Sequence, residues 1–236
     1  MNIKNFLGFR PKLLPTIFTV LAMIVLLSLS FWQFKRLIWK NELINVIEKQ
    51  IQLPSINLPD KVDMDNMVYR KVSLKGRFMN DYEMYLYGGS RQFKGGNGFF
   101  ILTPMLLKDN RIVIVNRGWI DEKRRDPEKR PETIISELTE IEGYIMPSEN
   151  RPLYVHDNQI KINLWFYIDL LEIEGHLNRP VENYYILAKT NKETSLKTKD
   201  LSPNIRNNHL GYALIWLFSA IALGFIYVYY HKKYNN

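Results

Sequence analysis

Two uncharged apolar runs, one towards each end of the chain, constrain what can lie between them. The first, residues 13–34, carries no ionisable side chain. In the second, residues 207–230, His209 is the only group that titrates near neutral pH. About 20 helical residues cross a hydrocarbon core about 30 Å thick, and both runs are long enough. The spacing predicts a membrane protein: two transmembrane helices flanking a β-rich extramembrane domain of α+β, barrel-like character. Both termini then share one side of the membrane.

The mean hydropathy of −0.22 matches that of a water-soluble protein, so the middle must be markedly polar to offset two spans. The first run has a basic start (Lys4, Arg10, Lys12), as signal peptides do. It is longer than their apolar region and ends in Phe-Trp-Gln-Phe-Lys-Arg, not in a small-residue cleavage site, which reads as an uncleaved anchor. The acid-free tails, with Lys232 and Lys233 at the far end, favour termini inside and the domain outside.

Helical periodicity continues past the first span through Trp32, Arg36, Trp39, Leu43 and Ile47 to about Gln50. The expected layout is a basic tail (1–12), the first span (13–34), a helical extension and linker (35–66) and a β-rich domain (67–190). A polar linker (191–206), the second span (207–230) and a short basic tail (231–236) follow. Within the domain, a period of two from Met67 to Phe78 predicts a strand. Further strands are expected at 82–87, 99–105, 111–119, 138–145, 162–167 and 184–188, with Asp169 capping a short helix.

Few residues here point to catalysis. There is no cysteine, which removes disulfides, thiolate metal sites and covalent c-type haem attachment. Gly95-Gly96-Asn97-Gly98 fits a hairpin turn and lacks a phosphate-binding pattern. The serines have no nucleophile-elbow context, and His156 and His176 stand alone without metal-ligand spacing. The expectation is a protein that is not an enzyme. The net charge of +8 is spread, and its densest stretch, 123–131, is interleaved with acids and prolines, so no nucleic-acid partner is expected and that stretch reads as a solvated loop. His231, among the tail lysines, reads as interfacial.

His209 differs because it opens an apolar helix at the membrane boundary: Asn207-Asn208-His209-Leu210-Gly211-Tyr212-Ala213. A neutral imidazole there is either an axial ligand for haem iron or an interfacial histidine. Gly211 would let a flat macrocycle approach, and Tyr212 and Trp216 are either its surroundings or part of an aromatic belt.

At these residues the chain resembles the Surfeit locus protein 1 family of assembly factors for haem-copper cytochrome c oxidase. The resemblance rests on five motifs in order. They are Phe31-Trp32-Gln33-Phe34-Lys35-Arg36 with Trp39-Lys40; Leu58-Pro59 leading to Tyr69-Arg70-Lys71-Val72 and Gly76-Arg77-Phe78; Gly98-Phe99 with Thr103-Pro104; Val115-Asn116-Arg117-Gly118-Trp119; and His209-Leu210-Gly211-Tyr212-Ala213 with Trp216. One departure is Ser30, where many relatives have glycine. The resemblance implies a haem a chaperone that aids insertion into the largest oxidase subunit, with the haem a synthesis machinery as a further partner, in a bacterial inner membrane with the domain in the periplasm, or in the mitochondrial inner membrane in a eukaryote. It implies His209 as the iron ligand, with Trp32, Arg36, Tyr212 and Trp216 around it. Arg36 and Arg206 are candidates for propionate pairing or for lipid anchoring. Asn116, Arg117 and Trp119 are either core or an interaction surface for the oxidase. The rival reading is a membrane scaffold that docks the oxidase subunit without binding haem.

Overall fold

The computed structural model describes residues 11–88, 96–189, 196, 201 and 207–234. Gly89, Ser90, Gly95, Arg206 and most of the linker expected at 191–206 lie outside the described residues. In chain order the elements are α1 (Leu13–Gln52), β1 (Ile56–Asn57), α2 (Met64–Met67), β2 (Lys71–Phe78), β3 (Met84–Gly88), β4 (Gly98–Leu107), β5 (Ile112–Asp121), β6 (Thr139–Pro147), β7 (Leu164–Trp165), α3 (Leu170–Leu177), β8 (Tyr184–Ala188) and α4 (His209–Tyr234). They divide into two units, residues 1–46 with 204–236, and residues 47–203.

The first unit is a pair of helices, both long and apolar enough to cross a membrane. The less exposed positions of α1 recur at alternating spacings of three and four: Thr16, Thr19, Met23, Leu26, Ser30, Gln33, Leu37, Lys40. This is the heptad spacing of a helix–helix seam. The matching stripe on α4 includes Ala213, Trp216, Ala220, Tyr227 and His231. Small residues let the backbones approach, and Ser30 Oγ donates to the Ala213 carbonyl at 3.0 Å. The remaining faces expose large apolar side chains such as Ile24, Phe218 and Phe225, as suits lipid. His231, near the end of α4, takes part in the pairing. It falls on the seam and is buried, because Nε2 accepts from the Lys12 backbone N–H (3.1 Å) and Nδ1 donates to the Tyr227 carbonyl (2.9 Å).

In the second unit, β2 pairs antiparallel with β6 along its first part and with β4 at its end. With the β6–β8, β8–β5 and β5–β4 pairings, this closes a five-stranded barrel, and only β8–β5 is parallel. Closure removes sheet edges. Val72, Leu74, Phe78, Met105, Val113, Val115, Ile145 and Ile186 form one core cluster. Ile114, Leu102, Met84 and Tyr185 form a second with Trp165, Ile168 and the α3 residues Leu170, Ile173 and Leu177. Strand β5 is therefore covered on both faces, which explains its unbroken apolar run at 112–115.

Local differences from the sequence reading have local causes. The strand expected from Met67 begins at Lys71, since Met64–Met67 makes a helical turn capped by Asp63 and Tyr69 takes a left-handed φ of 67°. The strand expected at 162–167 shrinks to Leu164–Trp165 after a 3₁₀ turn, with Asn163 also left-handed. Asp169 caps α3 by accepting from the Leu171 and Glu172 N–H groups (2.9 and 3.2 Å). The charged stretch at 123–131 is more than a solvated loop. It winds through 3₁₀ turns and drives Arg130 fully inside, where it pairs with Glu83 and donates to Thr133 Oγ1 at 2.9 Å.

Candidate functional site at the mouth of the second apolar helix

His209 is the first residue of α4, and Gln33 lies on the seam stripe of α1. Their side chains meet, with His209 Nδ1 and Gln33 Oε1 2.7 Å apart. An amide oxygen only accepts, so Nδ1 carries the proton. In the neutral ring that leaves the Nε2 lone pair as the ring's remaining basic site, and Nε2 makes no hydrogen bond among the described residues. The arrangement is the one that metal-binding imidazoles use: one nitrogen tied to an oxygen, the other presented as donor. Eight residues on from Gln33 along α1, Asn207 Nδ2 donates to Asn41 Oδ1 at 2.8 Å, holding the α4 entry against α1.

Two openings adjoin here. A recess of about 190 Å³ is lined by Lys40, Asn208, His209 and Tyr212. A groove of about 450 Å³ is lined by Asn207, Asn208, Gly211, Tyr212 and Ile215. A Cβ built on Gly211 would meet no heavy atom within 4 Å, so this face of the helix is open to a flat ligand.

The structure brings His209 and Tyr212 together at the recess, and leaves other expected partners away from it. Trp32 is exposed on α1, and Trp216 falls on the α4 seam; neither lines these two openings. The Arg36 guanidinium stacks over Trp39 at 4.0 Å and is likewise absent from both linings. Gln33 and Lys40 are the residues that the sequence reading missed. Their signal was available, since both are polar residues on an otherwise apolar or small stripe, one heptad apart.

Asn116, Arg117 and Trp119 do not form a surface. All three are buried, at 6 %, 5 % and 2 % exposure, and the surface reading of this motif is corrected here. The reason is a β-bulge. Leu102 pairs with Asn116 and Ile101 with Gly118, which leaves Arg117 as the extra residue. Gly118 takes a φ of 125°, which a side chain would strain, and its N–H donates to Asn116 Oδ1 at 3.2 Å. The bulge aims Arg117 over the Phe78 ring (4.3 Å) and onto the Thr133 carbonyl. Trp119 lies against Gly98, where an added Cβ would come within 2.3 Å of its indole. His156 and His176 pack singly against Phe166 and Trp165, and no cluster of metal-ligating side chains occurs among the described residues.

A family model described as the SURF1 family matches residues 20–221. The chain belongs to the SURF1 family. A SURF1-like protein of Rickettsia prowazekii is 36 % identical over 217 residues, covering 90 % of this chain and 87 % of the relative. One of Drosophila melanogaster is 33 % identical over 220 residues, covering 85 % and 72 %. Surfeit locus protein 1 of Rattus norvegicus is 26 % identical over 205 residues, covering 80 % and 66 %. The SURF1 family match spans most of α1, the whole barrel and the first half of α4, and so includes Gln33, Lys40 and His209.

Proposed function

We propose that this SURF1 family member is a non-enzymatic assembly factor for haem-copper cytochrome c oxidase that holds haem a at the membrane boundary and aids its insertion into the largest oxidase subunit. The observation that carries this reading is the Gln33–His209 pair, which fixes the proton on Nδ1 and leaves Nε2 as a donor to iron. Haem a, as cargo, brings a porphyrin iron, a long apolar tail and two carboxylate arms. The side chains present suit each part: Nε2 of His209 for the iron, the open face at Gly211 and Tyr212 for the ring, and lipid beside Ile215 for the tail. On this reading the termini are cytoplasmic, the barrel faces the periplasm or intermembrane space, and the enzymes that make haem a are upstream partners.

The test is the optical spectrum of the detergent-purified protein from cells that make haem a. The wild type is expected to carry a haem a signal, and His209→Ala to lose most of it while keeping its far-ultraviolet circular dichroism. Equal haem content in the two proteins would overturn the assignment. Absence of haem from both, with copurifying oxidase subunit, would establish the scaffold instead.

A further inference from the structure

The uncharged stretch of α1, residues 13–34, is about 33 Å long as a helix, slightly more than a hydrocarbon core. Lys35 and Arg36 are the first ionisable residues beyond it, so they stand at headgroup level. Each is held by a ring one turn away: Lys35 Nζ lies 4.8 Å over Phe31, and the Arg36 guanidinium 4.0 Å over Trp39. All four side chains are exposed and lie off the α1 seam, as does Trp32. The helix pair therefore turns this band towards lipid. A ring face orients a cation without neutralising it. Neither cation forms a salt bridge among the described residues, and the next acid along α1 is Glu42, about 9 Å beyond Arg36 along the axis. An aromatic belt by itself suits any bilayer surface, whatever its charge. Two adjacent, ring-oriented cations do discriminate.

We propose that Phe31, Trp32, Lys35, Arg36 and Trp39 form a binding face for an anionic phospholipid. Its phosphate pairs with Lys35 and Arg36, and its chains run along Phe31 and Trp32 into the hydrocarbon. The planar guanidinium offers paired donors to phosphate oxygens, and the ammonium adds a point charge beside it. The occupant is a lipid and not soluble phosphate, because the aromatic side chains on either side of the cations fit acyl chains and have no use for a free anion. This face lies apart from the His209 recess, and its lipid is held whether or not that recess takes haem.

The test places the full chain in phosphatidylcholine vesicles doped with lipid brominated on its chains, which quenches tryptophan fluorescence on contact. Trp32 and Trp39 flank the proposed face, Trp119 and Trp165 are buried in the barrel, and no tryptophan lies near the basic tails. Brominated phosphatidylglycerol should reach half-maximal quenching at about a ten-fold lower mole fraction than brominated phosphatidylcholine, between the effects of one and two surface cations. Replacing both cations, Lys35→Gln with Arg36→Gln, should bring the two midpoints together while circular dichroism stays unchanged. Each single replacement should lower the preference, which keeps the test readable if the double variant fails to fold. Equal midpoints in the wild type would overturn the proposal. A preference that survives replacement of the cations would also overturn it, by tracing the effect to diffuse charge elsewhere. Excess inorganic phosphate should leave the midpoints in place; displacement of the brominated lipid would assign the face to the free anion instead.

Discussion

At Tyr85 and Arg117 burial moves two titrations in opposite directions. Burial, then the Glu83 carboxylate, pushes the Tyr85 phenol up to about 12, against a smaller opposing effect of Arg130. Burial holds the Arg117 guanidinium down to about 10, Glu83 only partly offsetting it. For Tyr85 the folded state keeps its proton longer than the unfolded chain, whose phenol titrates near 10. Its contribution is therefore intact below pH 10 and is lost as pH rises towards 12. For Arg117 the folded state releases its proton first, so its contribution rises with pH over much of the same window. Tyr85→Phe should flatten the alkaline fall in stability between about pH 10 and 12, read as urea midpoints of the detergent-solubilised protein. An unchanged slope would show the phenol to be exposed. None of this was legible in the sequence. Arg117 and Arg130 look like surface residues until a bulge and a run of 3₁₀ turns carry them inside, and neither device has a strong sequence signature.

The helix pair is where sequence pattern and packing agree most closely. Two long apolar stretches predicted the helices, and heptad spacing selects the seam. Ser30 shows what the resemblance alone left out. It is more than a small stand-in for glycine, because its hydroxyl donates to the Ala213 carbonyl across the pair. Ala220 is 1 % exposed, on the seam of α4. Ala220→Leu should destabilise the pair by about 1–3 kcal/mol through overpacking, seen as a lower thermal unfolding midpoint in detergent. Phe225→Leu, on an exposed face, should leave it unchanged. Equal effects of the two would mean that the seam lies elsewhere. The strands were legible for a similar reason: β8 is an aromatic and aliphatic run at its expected place, and β5 opens on a β-branched one. The closing pairing of β2 with β4 was not, because it depends on a strand changing partner near Gly76.

Across the whole molecule, a closed barrel with a well-filled core and a polar site on a helix pair are different kinds of object. The barrel's motif residues at 116–119 are spent on the bulge and the packing around it, so they offer no chemistry of their own to a partner. What distinguishes the chain chemically lies on α1 and α4: an imidazole oriented by Gln33 beside an opening that Lys40 also lines. The site was half legible. His209 stood out as an ionisable residue at an apolar helix mouth, but its two α1 neighbours emerged only when the helices were paired. The most direct measurement is the nitrogen spectrum of the protein with ring-labelled histidine, before and after adding haem. His209 should carry its proton on Nδ1 and have a bare Nε2, and haem should shift or broaden that Nε2 signal while His156 and His176 stay in place. A protonated Nε2, or a His209 signal indifferent to haem, would contradict it.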